Sequence, residues 1–529
     1  MIAATRRLCA LRCRAGVMAS RSAGRLRVKV LYVLVALHAG EIRRMRIDWA
    51  MRWTTTFGVA LVLASACDVT SALPATSSDR DTAVAQASAD VATAALAREN
   101  IPGLQIAITR GGRIVLDQGY GVRDVGARQP VESTTLFELG SITKSFTSAA
   151  ILQLRERGKL KLSDQLGQYV PEYPRGKDIT IMQLLQMTSG IPDHINDVPN
   201  SVKIVTASPG NLDAALALIK NMPLNFKPGT QSVYSNTNYL LLGTIVARAS
   251  HMPYDEYISK NIFVPAHMIH SAFLKDESSL ANMAVGYALV TANKLKVAGH
   301  IRYGWSGGAG SIVSTAGDLA RWDNAFFNGR IISAADVRLA TTPLYIKGKS
   351  TTYGLGWSID QIEGIPVISH DGGMLGFTSI NDVFPAIGLN IIVLTNNGDT
   401  PPDNIAKNIL AKLDPEFARR RDIAALGENP QITSRAEKVW TELHIGTIDR
   451  SELTPDLNKA LTPDQVAFMH AHYAGAGPPL QWIYKGKQDW PDGSTTYSYR
   501  VLFKDGSAVL VAATITKDGK FANVDTQYD

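Results

Sequence analysis

The sequence predicts a mixed α/β (α+β) protein with one large domain followed by a small α+β domain. Strand-like and helix-like segments interleave up to about residue 415. Beyond residue 430, two helical patterns precede four strand-like segments separated by turns, the order of a small α+β unit. The chain has 529 residues, 45% of them apolar and 19% charged, enough to bury a sizeable core.

The elements follow in order. Val84–Arg98 has helical spacing. Gly103–Arg110 and Arg113–Gly121 read as two strands around the Gly111-Gly112 turn. Phe146, Ala149, Ala150 and Leu154 recur at helical spacing, with Gly158 as the stop. Further helical patches cover Ile181–Met187, Thr237–Ala249 and Asp318–Phe327. Strands are expected at Gly354–Ile359, Pro366–His370 and Leu389–Leu394, the last a continuous apolar run. Pro415–Pro430, with Arg419-Arg420-Arg421 and Gly427, reads as a linker. Helices at Ser434–Leu443 and Pro463–Tyr473 lead into strands Leu480–Tyr484, Thr495–Phe503, Ala508–Ile515 and Lys520–Thr526. The expected domains are a leader (1–78), a main domain (79–415), a linker (416–430) and a small α+β domain (431–529).

The net charge of +7 is unevenly distributed. Residues 1–78 carry 12 Lys/Arg and 3 Asp/Glu, so the rest of the chain is slightly acidic and no nucleic-acid partner is expected. All three cysteines (Cys9, Cys13, Cys67) lie in the leader, leaving the body without a disulfide or a thiolate metal site. Phe57–Leu63 follows Arg52 and precedes Ala64-Ser65-Ala66, the pattern of a secretory signal peptide. The protein is therefore expected to be periplasmic or secreted, with the leader or a lipidated Cys67 as candidate membrane anchors. Met45 and Met51 are alternative starts, which would leave residues 1–44 untranslated.

Three short motifs carry chemistry. Ser141-Ile142-Thr143-Lys144 is the only S-x-x-K, and on a helix it brings the two side chains to one face. A serine hydroxyl needs a base to become a nucleophile, and a desolvated lysine can serve. Tyr234-Ser235-Asn236 is the only Y-x-N. A tyrosine near a cation can be held partly as phenolate and shuttle a proton, while Asn236 can hold Lys144 and donate to a substrate carbonyl. His370-Asp371-Gly372-Gly373 ends a strand, where glycines admit a substrate backbone and the N–H groups of Gly373 and Ser141 can form an oxyanion hole. Each motif alone has an ordinary structural explanation: a capped helix start, a turn, a strand edge.

In the order Ser-Lys, Tyr-Asn, His-Gly, over about residues 80–410, the chain resembles the serine hydrolases related to class C β-lactamases and penicillin-binding DD-peptidases. Leu185–Pro192, Pro228–Gly243, Gly308–Trp322 and Tyr353–Trp357 share in the likeness. The resemblance implies an all-α subdomain on a helix-flanked antiparallel sheet, with the site between them. It implies Ser141 as nucleophile, Lys144 and Tyr234 as proton carriers, and Asn236, His370, Gly372 and Gly373 as substrate contacts. One departure matters: the β-lactamases usually carry Lys where His370 stands, while peptidases and esterases often carry His. A partly protonated His370 would favour carboxylate substrates more at pH 6 than at pH 8.

The expected activity is hydrolysis of amides or esters, including D-amino acid peptides, through an acyl-enzyme and without cofactor or metal. A true β-lactamase and a slowly turning penicillin-binding sensor, reporting through residues 430–529, are the alternatives. That tail resembles small cystatin-like or nuclear-transport-factor-like domains. Gly304-Trp305-Ser306-Gly307-Gly308 matches a nucleophile elbow, but a glycine loop follows where a helix is needed, so Ser306 is not expected to be a nucleophile. His194, His251, His267, His270, His300, His444, His470 and His472 are scattered without a persuasive metal-ligand spacing.

Overall fold

Seven strands form the central sheet of the computed structural model, which describes residues 77–275, 280–291, 294–473, 477–490 and 492–529. In chain order they are β1 (Gly103–Arg110), β2 (Arg113–Asp124), β3 (Gln129–Pro130), β4 (Ser358–Ile362), β5 (Ile365–Met374), β6 (Phe377–Phe384) and β7 (Leu389–Thr395). Their spatial order is β4-β5-β6-β7-β1-β2-β3, and every neighbouring pair is antiparallel. Gly111 and Gly112 turn the first hairpin at φ +57° and +79°, as a tight primed turn requires. Ile108 of β1 lies opposite Ile391 of β7, so the two ends of the main domain meet in mid-sheet.

The flanking helices are α1 (Ser77–Arg98), α2 (Thr143–Glu156), α3 (Asn236–Ser250), α4 (Ala316–Phe327) and α5 (Pro402–Leu413). The alternation of strand side chains divides them into two layers. Ile106, Ile108, Ile391 and Val393 pack with Val84, Ile405 and Ile409 of α1 and α5. Ala107, Ile392 and Leu394 point the other way, into a core that includes Phe146, Leu241 and Trp322 of α2, α3 and α4. Both faces of β7 are covered, which is why its sequence is apolar without a break.

Helix α2 is buried along Thr143–Leu154, its apolar face on the core and its small polar residues against neighbouring backbone. Phe146 stacks on Trp322 at 4.1 Å, and Thr147 Oγ1 donates to Gly308 O at 2.6 Å. Gly158, at φ +67°, follows its end.

Two expectations are corrected. Gly354–Trp357 is not strand. Gly356 sits at φ +76°, and a Cβ there would lie 2.7 Å from Lys144 O, so the segment turns tightly over α2 and the strand begins at Ser358. Nor are residues 415–421 a linker. They form α6 (Pro415–Arg421), capped by Asp414, with Phe417 fully buried beside α5.

Beyond α6, helices α7 (Pro430–His444), α8 (Pro455–Ala460) and α9 (Pro463–Tyr473) accompany a four-stranded antiparallel sheet. Its strands, β8 (Pro479–Asp489), β9 (Thr495–Phe503), β10 (Ala508–Ile515) and β11 (Phe521–Tyr528), follow in sequence order. Trp440, Tyr499, Val501, Val511 and Phe521 give this unit its own core. Ion pairs tie it to α6 and to the turn after β4: buried Asp529 accepts from Arg421 and Arg500, and Lys485 pairs with Glu363 at 2.9 Å. Among the described residues no helix is long and apolar enough to cross a membrane. The apolar run Phe57–Leu63 of the leader, Cys67 and the alternative starts lie outside the described residues.

Candidate active site

Ser141 stands in the 3-10 turn Gly140–Ile142 that leads directly into α2, one helical turn before Lys144. Gly140 has φ +51°, and a Cβ on it would come within 2.8 Å of Gly373 N, so only glycine lets β5 approach the Ser141 backbone. Lys144 Nζ donates to Ser141 Oγ at 2.9 Å, Asn236 Oδ1 at 2.9 Å and Ala309 O at 2.8 Å. Lys144 is wholly buried. That desolvation pushes its pKa down to about 7, against the opposing fields of Asp193 and Asp371. Near neutrality Nζ is therefore divided between a three-donor ammonium and an amine with a free lone pair facing Ser141.

Tyr234 approaches from the opposite side, its OH donating to Ser141 Oγ at 2.7 Å. The residue is 41% exposed, yet desolvation against the wall of the cleft raises its pKa well above the usual phenol value. Asp371 and Asp193 add to that rise. The expectation of a partial phenolate is thus corrected: the resting side chain is a neutral phenol.

Asn236 opens α3 and joins this group through its amide. Its Oδ1 faces Lys144, and its Nδ2 donates to Asp193 Oδ2 at 2.9 Å. Asp193, only 2% exposed, was not singled out from sequence. Its Oδ1 accepts from the N–H groups of Ile195 and Asn196, an Asx turn that fixes the carboxylate before it meets Asn236. The local signal was an aspartate directly after the Gly190-Ile191-Pro192 turn. His194 beside it is buried, with Nδ1 on Thr237 Oγ1 and Nε2 on Trp305 O, and ties the Trp305 loop to α3.

The His-Gly strand differs from expectation in which side chains face the substrate. His370 is 1% exposed and turns away from the cleft: Nε2 meets Tyr353 OH at 3.2 Å and Nδ1 meets Asp371 O at 2.7 Å. Burial lowers its pKa to about 4, outweighing Asp371 and aided by Lys144, so the ring is neutral from pH 6 to 8. Neither direct contact with substrate nor a pH-dependent charge on His370 survives this placement. Gly372 also faces inward. A Cβ there would strike Leu139 O at 2.0 Å and Ser379 Oγ at 2.3 Å, so its glycine serves packing. Gly373 does line the cleft, with nothing within 4 Å of where its Cβ would stand.

The cleft, of about 390 Å³, is bounded by Ser141, Tyr234, Asn236, Asp371 and Gly373, with Ile195, Asn196, Ile301 and Met374 added by the fold. Ser306 also lines it, from the end of the short helix Tyr303–Ser306 and not from a strand-to-helix elbow. No group of three or more His, Cys, Asp or Glu side chains is placed to hold a metal among the described residues.

A helix-flanked antiparallel sheet with a Ser-Lys pair at the start of a buried helix is the arrangement of the β-lactamase fold. The chain belongs to the Beta-lactamase family, which matches residues 88–414. It is 30% identical over 311 residues to protein flp of Staphylococcus aureus (strain MRSA252), covering 57% of this chain and 60% of that protein. It is 34% identical over 290 residues to a Bacillus subtilis (strain 168) protein named "Putative penicillin-binding protein PbpX", covering 55% of this chain and 69% of that one. The chain thus spans about three fifths of the length of flp. Among solved structures, the octameric penicillin-binding protein homologue of Pyrococcus abyssi shares the fold at a TM-score of 0.57 and 23% identity, over 84% of this chain and 98% of that one. D-amino acid amidase of Ochrobactrum anthropi SV3 does so at 0.56 and 21%, over 63% and 99%.

Proposed function

We propose that the protein hydrolyses amide or ester bonds through an acyl-enzyme on Ser141, with derivatives of D-amino acids as its substrates. The observation that carries this reading is the buried Lys144 Nζ, held between Ser141 Oγ, Asn236 Oδ1 and Ala309 O, where burial lowers its pKa to about 7. Neutral Lys144 accepts the Ser141 proton as Oγ attacks the carbonyl carbon. The N–H groups of Ser141 and Gly373 receive the developing oxyanion, as fixed dipoles need no reorganisation. The Tyr234 phenol delivers its proton to the departing nitrogen or oxygen and is restored by the proton that Lys144 took from Ser141. Water then attacks the acyl carbon by the same route reversed, releasing the acid and restoring the Ser141 hydroxyl.

The shared fold with an amidase solved with D-phenylalanine supports D-amino acid derivatives as the class to try first. The leader's charge, apolar run and Ala64-Ser65-Ala66 support action outside the cytoplasm, and mass spectrometry of protein made in a secreting host tests it. A labelled fluorophosphonate and a labelled penicillin, followed over time, test the catalytic reading. Label that is placed on Ser141 and, for penicillin, lost quickly marks a hydrolase. A penicillin label that persists marks a sensor, and no label from either probe overturns the reading.

A further inference from the structure

Asp371 follows His370 on β5 and, by strand alternation, points to the opposite face. Its side chain is 81% exposed and lines the cleft beside Ser141, Tyr234 and Asn236. Among the described residues, no Lys, Arg, Glu or other Asp lines that cleft. Lys144 Nζ is consumed by its three hydrogen bonds behind it. The ion-pair partner that the described residues offer Asp371 is His370 at 4.0 Å, a ring already engaged with Asp371 O and Tyr353 OH. Among the described residues a carboxylate thus stands at the entrance to the nucleophile with no Lys or Arg in contact with it, the buried Lys144 acting on it only through its field.

We propose that Asp371 selects substrates carrying an ammonium group close to the scissile carbonyl, aminoacyl esters and amides with a free α-amine, and repels those carrying a carboxylate there. The inference rests on the acyl-enzyme reading of Ser141. Geometry sets the reach. Asp371 and Gly373 lie on the same strand face, two residues or about 7 Å apart. An α-amine two bonds from a carbonyl carbon seated against Gly373 N–H therefore lies within the span of the Asp371 side chain. Discrimination comes as much from repulsion as from attraction, because a penicillin or a peptide C-terminus brings a second anion close to the first. The aspartate, and not the buried His370, is then the residue that separates this cleft from one built for carboxylates.

The test uses two fluorophosphonates alike except for an ammonium or a carboxylate two bonds from phosphorus, so that labelling of Ser141 is read without need of turnover. At pH 7 and low salt the wild type should be labelled about tenfold faster by the cationic probe, the scale of a charge-assisted hydrogen bond. Asp371→Asn should bring the two rates together, and Asp371→Lys should reverse their order. High salt should narrow the wild-type ratio. A wild-type ratio near one, or a ratio that Asp371→Asn leaves unchanged, overturns the role of Asp371. Labelling by neither probe, or labelling that survives Ser141→Ala, overturns the reading of Ser141 instead.

Discussion

Asp193 and Asn236 are joined twice: one carboxylate oxygen of Asp193 accepts both the backbone N–H and the side-chain Nδ2 of Asn236, each at 2.9 Å. This fixes which end of the amide faces Lys144. With Nδ2 committed to Asp193, Oδ1 is the atom presented to Nζ, and a flipped amide would set two donors against each other. Asp193 is accordingly a positioning residue acting on Lys144 through Asn236, and its charge also holds the Lys144 pKa up.

The first prediction follows from both effects. Lys144 must be neutral to accept the Ser141 proton, so kcat/KM should rise with pH through about 7. Asp193→Asn removes a charge that favours the ammonium, so the acidic limb should move to lower pH, by roughly one pH unit. Meanwhile kcat should fall because Asn236 is no longer held. A pH profile of kcat/KM on a neutral ester checks this. An unmoved limb with unchanged kcat would leave Asp193 a merely structural residue.

Ser141→Ala should abolish labelling and turnover while preserving the fold, whereas Ser306→Ala should retain most activity. Both serines line the same cleft, but only Ser141 has a lysine and a tyrosine on its Oγ. Mass spectrometry of the labelled peptide separates them, and label on Ser306 would contradict the assignment.

Lys144→Ala and Tyr234→Phe should each slow acylation by about 100-fold or more, the scale of a positioned proton carrier. The double variant should be little worse than the poorer single one, since the two share one oxygen and fail together. Single-turnover rates on the four proteins decide the matter. Losses that multiply would mean independent roles.

The Ser-Lys pair was legible because a helical turn fixes the separation of residues three apart, whatever packs around them. The continuous run of β7 was legible because a strand covered on both faces has no polar side to show. The phase of β5 was not. Whether His370 or Asp371 meets the substrate depends on which face of the sheet α2 and its turn cover, a tertiary fact that Pro366–Gly373 does not encode locally. Asp193 is illegible for a similar reason: in sequence a buried carboxylate and a solvated one look alike, and only the donors around it distinguish them. The segment 415–421 looked like a linker from its arginines, and a single buried side chain, Phe417, makes it a packed helix.

The last prediction concerns His370. Tyr353, Asp371 and, through its charge, Lys144 surround the ring, and burial lowers its pKa from an ordinary 6.5 to about 4. The folded protein therefore binds this proton less readily than the unfolded chain. Stability from His370 is fully present above pH 6.5 and lost as pH falls toward 4, by an amount on the order of 3 kcal/mol. Buried Asp323 and Asp382, both raised to about 7, act in the opposite sense, gaining stability from protonation as pH falls. The clean quantity is thus the difference between the wild type and His370→Asn. The wild type should lose Tm relative to the variant between pH 7.5 and pH 4.5. The ratio of kcat/KM for a cephalosporin to that for a neutral nitrophenyl ester should meanwhile stay flat from pH 6 to 8. A ratio that climbs toward pH 6 in the wild type and not in His370→Asn would mean that the imidazole does protonate in the cleft and reach the substrate, contrary to its buried placement.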